Sequence, residues 1–343
     1  MEHSATTTVQ SNHYQRPLGS GFDAFSTAEE VIRGINLTGK TIIVTGGYAG
    51  IGLETVRVFA EAGAHIIVPA RDLAKAARNV SGIANTTVES LDLMDPASID
   101  SFARKFLQSG RSLDILVNNA GIMWVPLQRD ARGFESQLST NHLGHFQLTA
   151  RLWPALKQSG HARVISVSSF GHHIAPFDFE DPNFENREYE TLAGYGQSKT
   201  ANNLFAVELD RRGKAFGVRA FALHPGSVNG TDLGRVAPME LFQQMGTHDA
   251  DGNIYPEVAQ KLKTIPQGAA TTVWCATSPQ LENLGGLYCE NADVSEVDHC
   301  DIEHRYDQPL TLRGVKPYSI DPENARRLWA LSEQMTGITF ETN

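Results

Sequence analysis

Thr41-Ile42-Ile43-Val44-Thr45-Gly46-Gly47-Tyr48-Ala49-Gly50-Ile51-Gly52 is the stretch that decides how this chain is read. A short apolar run suits a buried strand. It breaks into a glycine-rich turn, and helical spacing follows, with Ile51, Val56, Phe59 and Ala60 on one face between Gly50 and Ala62. Strand, glycine turn and helix in that order present backbone N–H groups and the positive end of the helix dipole to an anion. Gly46, Gly50 and Gly52 supply the missing Cβ atoms that let backbone approach a pyrophosphate. A glycine turn alone is also compatible with nothing more than a tight bend; its placement between strand and helix is what favours a dinucleotide.

Outward from this unit the same rhythm repeats. The sequence predicts strands at His65–Val68, Thr87–Leu91, Leu113–Val117, Arg163–Val167, Val218–Leu223 and Gly286–Cys289. Between them it predicts helices from about Pro96 to Leu107, Phe134 to Lys157, Gly194 to Arg212 and Ala269 to Ala276, with a closing helix from Pro322 to Gln334. Strands alternating with helices imply parallel pairing with right-handed crossovers, hence an α/β doubly wound sheet of the Rossmann kind. Ser26-Thr27-Ala28-Glu29 has capping-box spacing and opens a short helix through Ile35. Residues 1–25 read as a loose arm, and residues 26–343 as a single catalytic domain with its core at about 38–300. Residues 228–265 interrupt the alternation and are expected to form a helical lid over the site.

Composition narrows the function. Hydrophobic residues at 41% and charged residues at 20% describe an ordinary globular protein. A net charge of −10 disfavours a phosphate-backbone binder, so no nucleic-acid partner is expected. Three late cysteines, Cys275, Cys289 and Cys300, do not make a disulfide framework. The first twenty residues lack the pattern of a signal peptide, and no run approaches the ~18 apolar residues of a membrane span. The expectation is a cytoplasmic protein with no membrane partner.

The second strand ends in Val68-Pro69-Ala70-Arg71-Asp72. An acid at this place would bind an unphosphorylated ribose, while an arginine suits a 2′-phosphate. Arg71 favours NADP(H) over NAD(H), with Asp72 as the competing signal.

Tyr195-Gly196-Gln197-Ser198-Lys199 places a phenol and an ammonium at i and i+4, on one helix face. The neighbouring ammonium favours phenolate, so such a pair can move a proton nearer neutrality than a free tyrosine. Ser169 follows the fifth strand, and Asn118-Asn119-Ala120-Gly121 closes the fourth, both where open α/β sheets place ligand-binding residues. Asn141 is a poor helix former inside a long helix and could hold a water.

TGGYAGIG at 45–52, LDL at 91–93, NNAG at 118–121, Asn141, VSS at 167–169, YGQSK at 195–199 and HPG at 224–226 together resemble the short-chain dehydrogenase/reductase family, non-extended branch. VSSFGHH and the 26-residue step from Ser169 to Tyr195 are most similar to its retinol-dehydrogenase-like members. The resemblance implies Tyr195 as general acid or base and Lys199 as the group that lowers its pKa and holds the nicotinamide ribose. It implies that Ser169 orients the substrate oxygen and that Asn141 completes a proton relay through water. It places Gly46, Tyr48, Gly50, Ile51, Gly52, Arg71, Asp92, Leu93, Asn118, Ala120, Gly121, Pro225, Gly226 and Val228 around the dinucleotide. No metal is needed, the substrate is a small carbonyl compound or alcohol, and a homodimer or homotetramer built through the two long helices is common among relatives. The segment after Pro225-Gly226 is one residue longer than usual, which leaves the role of Thr231 open. A retinoid substrate is not carried over, because the membrane anchor frequent in that branch has no counterpart here.

Two rival activities keep the fold: reduction of an activated C=C bond, and a non-catalytic NADP-binding sensor, which has no need of the Tyr/Lys/Ser/Asn set. Met123, Trp124 and Phe170 suit either an apolar substrate pocket or ordinary core. His172 and His173 are expected to line the cleft. Asp298-His299-Cys300 with His304 lacks a recognisable zinc spacing.

Overall fold

The computed structural model describes residues 15–300 and 313–342. His304 lies outside these, as does residues 1–14 of the expected arm. Eight strands form one sheet in the order β3-β2-β1-β4-β5-β6-β7-β8. They are β1 (Thr41–Val44), β2 (His65–Ala70), β3 (Thr86–Ser90), β4 (Ile115–Asn118), β5 (Arg163–Val167), β6 (Arg219–His224), β7 (Leu287–Glu290) and β8 (Asp293–Val294). Pairing is parallel from β3 to β7, and β8 returns antiparallel.

Strict alternation of side chains sorts each strand between two cores. Ile42 and Val44 of β1 join one apolar cluster, and Ile43 the other; Ile66 and Val68 part from Ile67, and Ile115 and Val117 from Leu116, in the same way. A strand buried on both faces needs a continuous apolar run, which is why these segments lack polar alternation. The first face is covered by α1 (Ala28–Ile32), α2 (Gly50–Glu61) and α10 (Ile265–Thr277). The second is covered by α4 (Pro96–Gln108), α6 (Gly144–Ser159) and α7 (Thr191–Gly213). The remaining helices are α3 (Leu73–Asn79), α5 (Ser136–Leu138), α8 (Met239–Gln244), α9 (Pro256–Ala259) and α11 (Pro322–Thr336).

Four expectations are corrected. The capping box is Thr27 with Glu30, one residue later than expected, and α1 stops at Ile32, short of Ile35. Residues 15–25 are not loose. The buried Gln15 amide pairs with both the N–H and the carbonyl of Tyr288 and with the Ser295 carbonyl, as a neighbouring strand would. Leu18, Gly19 and Ser20 give their N–H groups to Asp293. The long helix expected over 134–157 is interrupted: α5 and α6 are joined by a π turn, Ser139–Leu143, in which Gly144 N–H donates to the Ser139 carbonyl. Such insertions in a helix mark places where a backbone group is re-aimed. Last, residues 228–265 contain only the short α8 and α9 and are mostly irregular.

Candidate active site

Strand order locates the site. After β1 the chain winds toward β2 and β3, and β4 lies on the other side of β1, so the turns leaving β1 and β4 diverge at a switch point. Register aligns Val44 with Val117, Asn118 with Ser166 and Val167 with Leu223. Thr45, Asn118, Ser169 and His224 therefore leave the sheet at one edge.

The β1 turn is built for close backbone approach. Gly46 has φ +65° and Gly50 φ +51°, a region open to glycine. A Cβ on Gly52 would fall 2.5 Å from the Gly46 carbonyl oxygen and 2.6 Å from Asn119 Nδ2. No side chain caps the start of α2 at Ala49, so its first N–H groups keep their capacity for an anion. These features fit a pyrophosphate. The turn is held by Thr45, whose hydroxyl accepts from Asn119 and Ala120 N–H at 2.9 and 3.0 Å, and whose carbonyl accepts from Asn119 Nδ2 at 2.8 Å.

The other expected cofactor positions lie around it. Tyr48 gives its carbonyl to Asn79 at 2.8 Å, and Val228 and Ile51 meet over Gly268. Asp92 uses one carboxylate oxygen within its own turn, on Met94 N–H, and a Cβ on Gly144 would strike the carbonyl of Leu93. Buried Asn118 reaches Thr149. Pro225 precedes Gly226, at φ +94°, whose bare Cα faces the stem of Lys263. Arg71 is exposed at the end of β2, and Asp72 caps α3 by accepting Lys75 N–H at 2.9 Å. Thr231 stands over Gly50, with its methyl carbon 3.5 Å from where a Cβ would be. The same segment reaches α3 through an exposed Lys75–Asp232 pair at 3.3 Å.

The four proton-transfer candidates converge. α7 is buried without interruption from Gly194 to Ala206, which brings Tyr195 and Lys199 inside together, each 3% exposed. Lys199 Nζ lies 5.5 Å from the Tyr195 ring centre and donates to the Val167 carbonyl at 3.0 Å. Burial pushes the Lys199 pKa down to about 7. A Cβ on Gly121 would lie 3.5 Å from Lys199 Nζ and 3.2 Å from Asn141 Oδ1, so the NNAG turn, Asn141 and Lys199 share one space. Ser169 precedes the 3-10 turn Phe170–His173 and accepts Gly171 N–H on its hydroxyl at 2.9 Å. Gly171 in turn faces the Tyr195 ring.

Asn141 is tied to two neighbouring segments. Its amide is committed to protein: Oδ1 accepts Ile122 N–H at 2.9 Å, while Nδ2 donates to the Ile122 carbonyl at 3.0 Å and to Ser198 Oγ at 2.9 Å. Ser198 then donates to the Tyr195 carbonyl at 2.8 Å. The Asn141 side chain is thus held in place by Ile122 and Ser198.

His172 is not a cleft residue. It is wholly buried; Nδ1–H donates to the Ser169 carbonyl at 2.8 Å, and Nε2 accepts Lys316 N–H at 3.2 Å. His173 stacks on Phe170 with ring centres 3.9 Å apart. On the opposite wall Trp124 is buried at φ +56°, and Gln137 Oε1 accepts its N–H at 2.8 Å. That backbone region is strained for a bulky residue. Trp124 meets Phe242 of α8 at 5.2 Å, and Met123 and Phe242 both face Gly234. Thr45 and Asn119 stood in the quoted motifs without a role of their own, and His145 and Gly171 are contributors that the sequence did not single out.

The short chain dehydrogenase family model matches residues 40–240, and the chain belongs to that family of NAD(P)-dependent oxidoreductases. It is 43% identical over 302 residues to an oxidoreductase of Streptomyces antibioticus, covering 86% of this chain and 97% of the relative. It is 36% identical over 313 residues to retinol dehydrogenase 12 of Homo sapiens, covering 90% and 89%. A solved structure from Mycobacterium paratuberculosis superposes with a TM-score of 0.67 at 32% identity, covering 91% of this chain and 98% of that one. Among the described residues no helix is long and apolar enough to cross a membrane.

Proposed function

We infer that this protein is an NADP(H)-dependent oxidoreductase that interconverts a carbonyl and an alcohol on a moderately hydrophobic small molecule, with Tyr195 as general acid and base. The observation that carries this reading is the joint burial of Tyr195 and Lys199 beside Ser169 and Asn141, at strand ends flanking the glycine turn. Nicotinamide, when bound, supplies or accepts the hydride.

Gly46, Tyr48, Gly50, Ile51 and Gly52 would hold the diphosphate, with Arg71, Asp92, Leu93, Asn118, Ala120 and Gly121 along the adenosine and ribose side. Pro225, Gly226 and Val228 would flank the nicotinamide. Support for the phosphorylated cofactor comes from the pair at the end of β2. Asp72 Oδ1 is engaged in the α3 cap, and the exposed Arg71 guanidinium stands beside it. A planar fork of that kind suits a phosphate.

In carbonyl reduction Tyr195 gives its phenolic proton to the oxygen that gains charge, and in oxidation the phenolate takes it back. Ser169 already accepts Gly171 N–H, so its own hydroxyl hydrogen is left to donate to that oxygen. Lys199 stabilises the phenolate, and Asn141 fixes the geometry through Ile122 and Ser198. Met123, Trp124 and Phe242 favour an apolar substrate body.

The test is a panel of ketones and aldehydes with NADPH, followed by loss of its absorbance and by product analysis. An alcohol product, with turnover down at least ~100-fold in Tyr195→Phe, is the expected result. Saturation of a C=C bond, or unchanged turnover in that variant, rejects the reading.

A further inference from the structure

His145, in the first turn of α6, is 3% exposed and touches no expected substrate position, yet both its ring nitrogens are spent on parts of the active site. Nδ1 lies 3.0 Å from the Asn141 carbonyl, and Nε2 lies 2.9 Å from Thr45 Oγ1. A carbonyl only accepts, so Nδ1 carries the proton. Burial pushes the ring pKa down to about 4, helped by the charge of Lys199, so the imidazole is neutral and Nε2 is an acceptor. Thr45 Oγ1 then donates to it at 2.9 Å, the nearer of its two acceptors, the Val117 carbonyl lying at 3.3 Å. The same hydroxyl accepts from Asn119 and Ala120 N–H, which accounts for both of its lone pairs.

Every bond in the chain thus has a defined direction. It runs from the NNAG turn through Thr45 and His145 to the Asn141 carbonyl. The Asn141 side chain continues it to Ser198 and so to the Tyr195 carbonyl. Thr45 opens the glycine turn and Asn141 sits in the π turn, so His145 is the joint between the cofactor side and the proton-transfer side.

We propose that His145 is a positioning residue that keeps the phosphate-cradling turn in register with Asn141, and through it with Tyr195. The inference rests on Tyr195 as the proton donor. It differs from a packing role because each nitrogen serves a different half of the site, and the two halves can be cut separately. His145→Gln keeps an acceptor near Nε2 for Thr45 and gives up the donor to the Asn141 carbonyl. His145→Asn keeps a donor near Nδ1 and gives up the acceptor for Thr45.

Expected for His145→Gln is a fall in kcat of about tenfold or more with the dissociation constant of NADP+ within about twofold of wild type. Expected for His145→Asn is the reverse weighting, a several-fold weaker NADP+ with the smaller loss in kcat. Equal losses in both quantities for both variants, or no loss in either, overturn the proposal. A second measurement needs no variant to fold: the 15N-histidine spectrum of the wild-type protein. It should show His145 as the neutral Nδ1–H tautomer from pH 5 to 8, with an Nε2 resonance that moves when NADP+ binds; the other tautomer, or a resonance indifferent to NADP+, overturns it. Wild-type behaviour of both His145 variants beside an inactive Tyr195→Phe defeats this inference alone, whereas an active Tyr195→Phe defeats the reading beneath it.

Discussion

A methyl group on Gly171 would lie 2.6 Å from Cε1 of Tyr195 and 2.9 Å from its Cδ1, closer than non-bonded carbons approach. The phenol is thus seated against bare backbone in the turn that follows Ser169. Because the Gly171 N–H also donates to Ser169 Oγ, one residue sets both the serine and the ring. Gly171→Ala should push the ring aside and cost about 100-fold in kcat, in line with a displacement near 1 Å. Steady-state kinetics beside a thermal melt will check this: activity should fall far more than stability, and an enzyme as active as wild type would show that the ring has room.

Arg71 offers a test of cofactor choice. Its substitution by alanine removes a charge-assisted contact worth about 1.5–3 kcal/mol, which is roughly 10- to 100-fold in affinity. Titration with NADP+ and NAD+ should show that loss for NADP+ alone. Equal weakening of both would assign Arg71 to the shared part of the dinucleotide.

Lys199 predicts a pH dependence of stability in the cofactor-free protein. Its folded pKa of about 7 lies below the value near 10.4 of an unfolded lysine. Between those values the unfolded chain binds the extra proton, so this residue makes unfolding harder as pH rises through the window. Its contribution to the slope approaches about 1.4 kcal/mol per pH unit. Chemical denaturation at several pH values should show Lys199→Met lacking that part of the slope; identical slopes would mean that the ammonium is not desolvated.

Trp329 of α11 anchors the C-terminal helix. It is 2% exposed, stacks on Phe340 at 4.7 Å, and meets Phe146 of α6 and Phe205 of α7 at 5.2 and 5.9 Å. Trp329→Ala should cost about 3–5 kcal/mol. At temperatures where the variant stays folded, kcat should hold near wild type, since the ring touches none of the four proton-transfer side chains. A melt unchanged from wild type would contradict the packing.

What could be read ahead of the structure follows from range. β1 and β5 begin and end at the expected residues because Ile42-Ile43-Val44 and Val164-Ile165-Ser166-Val167 are buried runs with polar or glycine-rich flanks. Tyr195, Lys199 and Ser169 were legible because spacing along a helix and position after a strand are local properties, whereas Asn141 joined them through the family resemblance. The two-residue β8 carries too little pattern to register, and α3 hides behind its cap at Asp72. The π turn at Ser139–Leu143 was illegible because it contains no proline or glycine to break the helix, and its one sign is the five-residue step from Leu138 to Leu143, which departs from helical spacing. His145 and His172 resist reading for another reason: a histidine's partners are set by tertiary contact, here with Thr45 and Lys316, and neither partner is near in sequence.

The link from His172 to Lys316 joins residues 144 positions apart, and Gln15 reaches Ser295 across 280. A nascent chain leaving the ribosome therefore carries Ser169, Tyr195 and Lys199 long before it can hold the serine's turn in place. Translation must pass Lys316 before that turn is finished. A product terminated earlier would display every reactive group and lack the clasp that sets one of them.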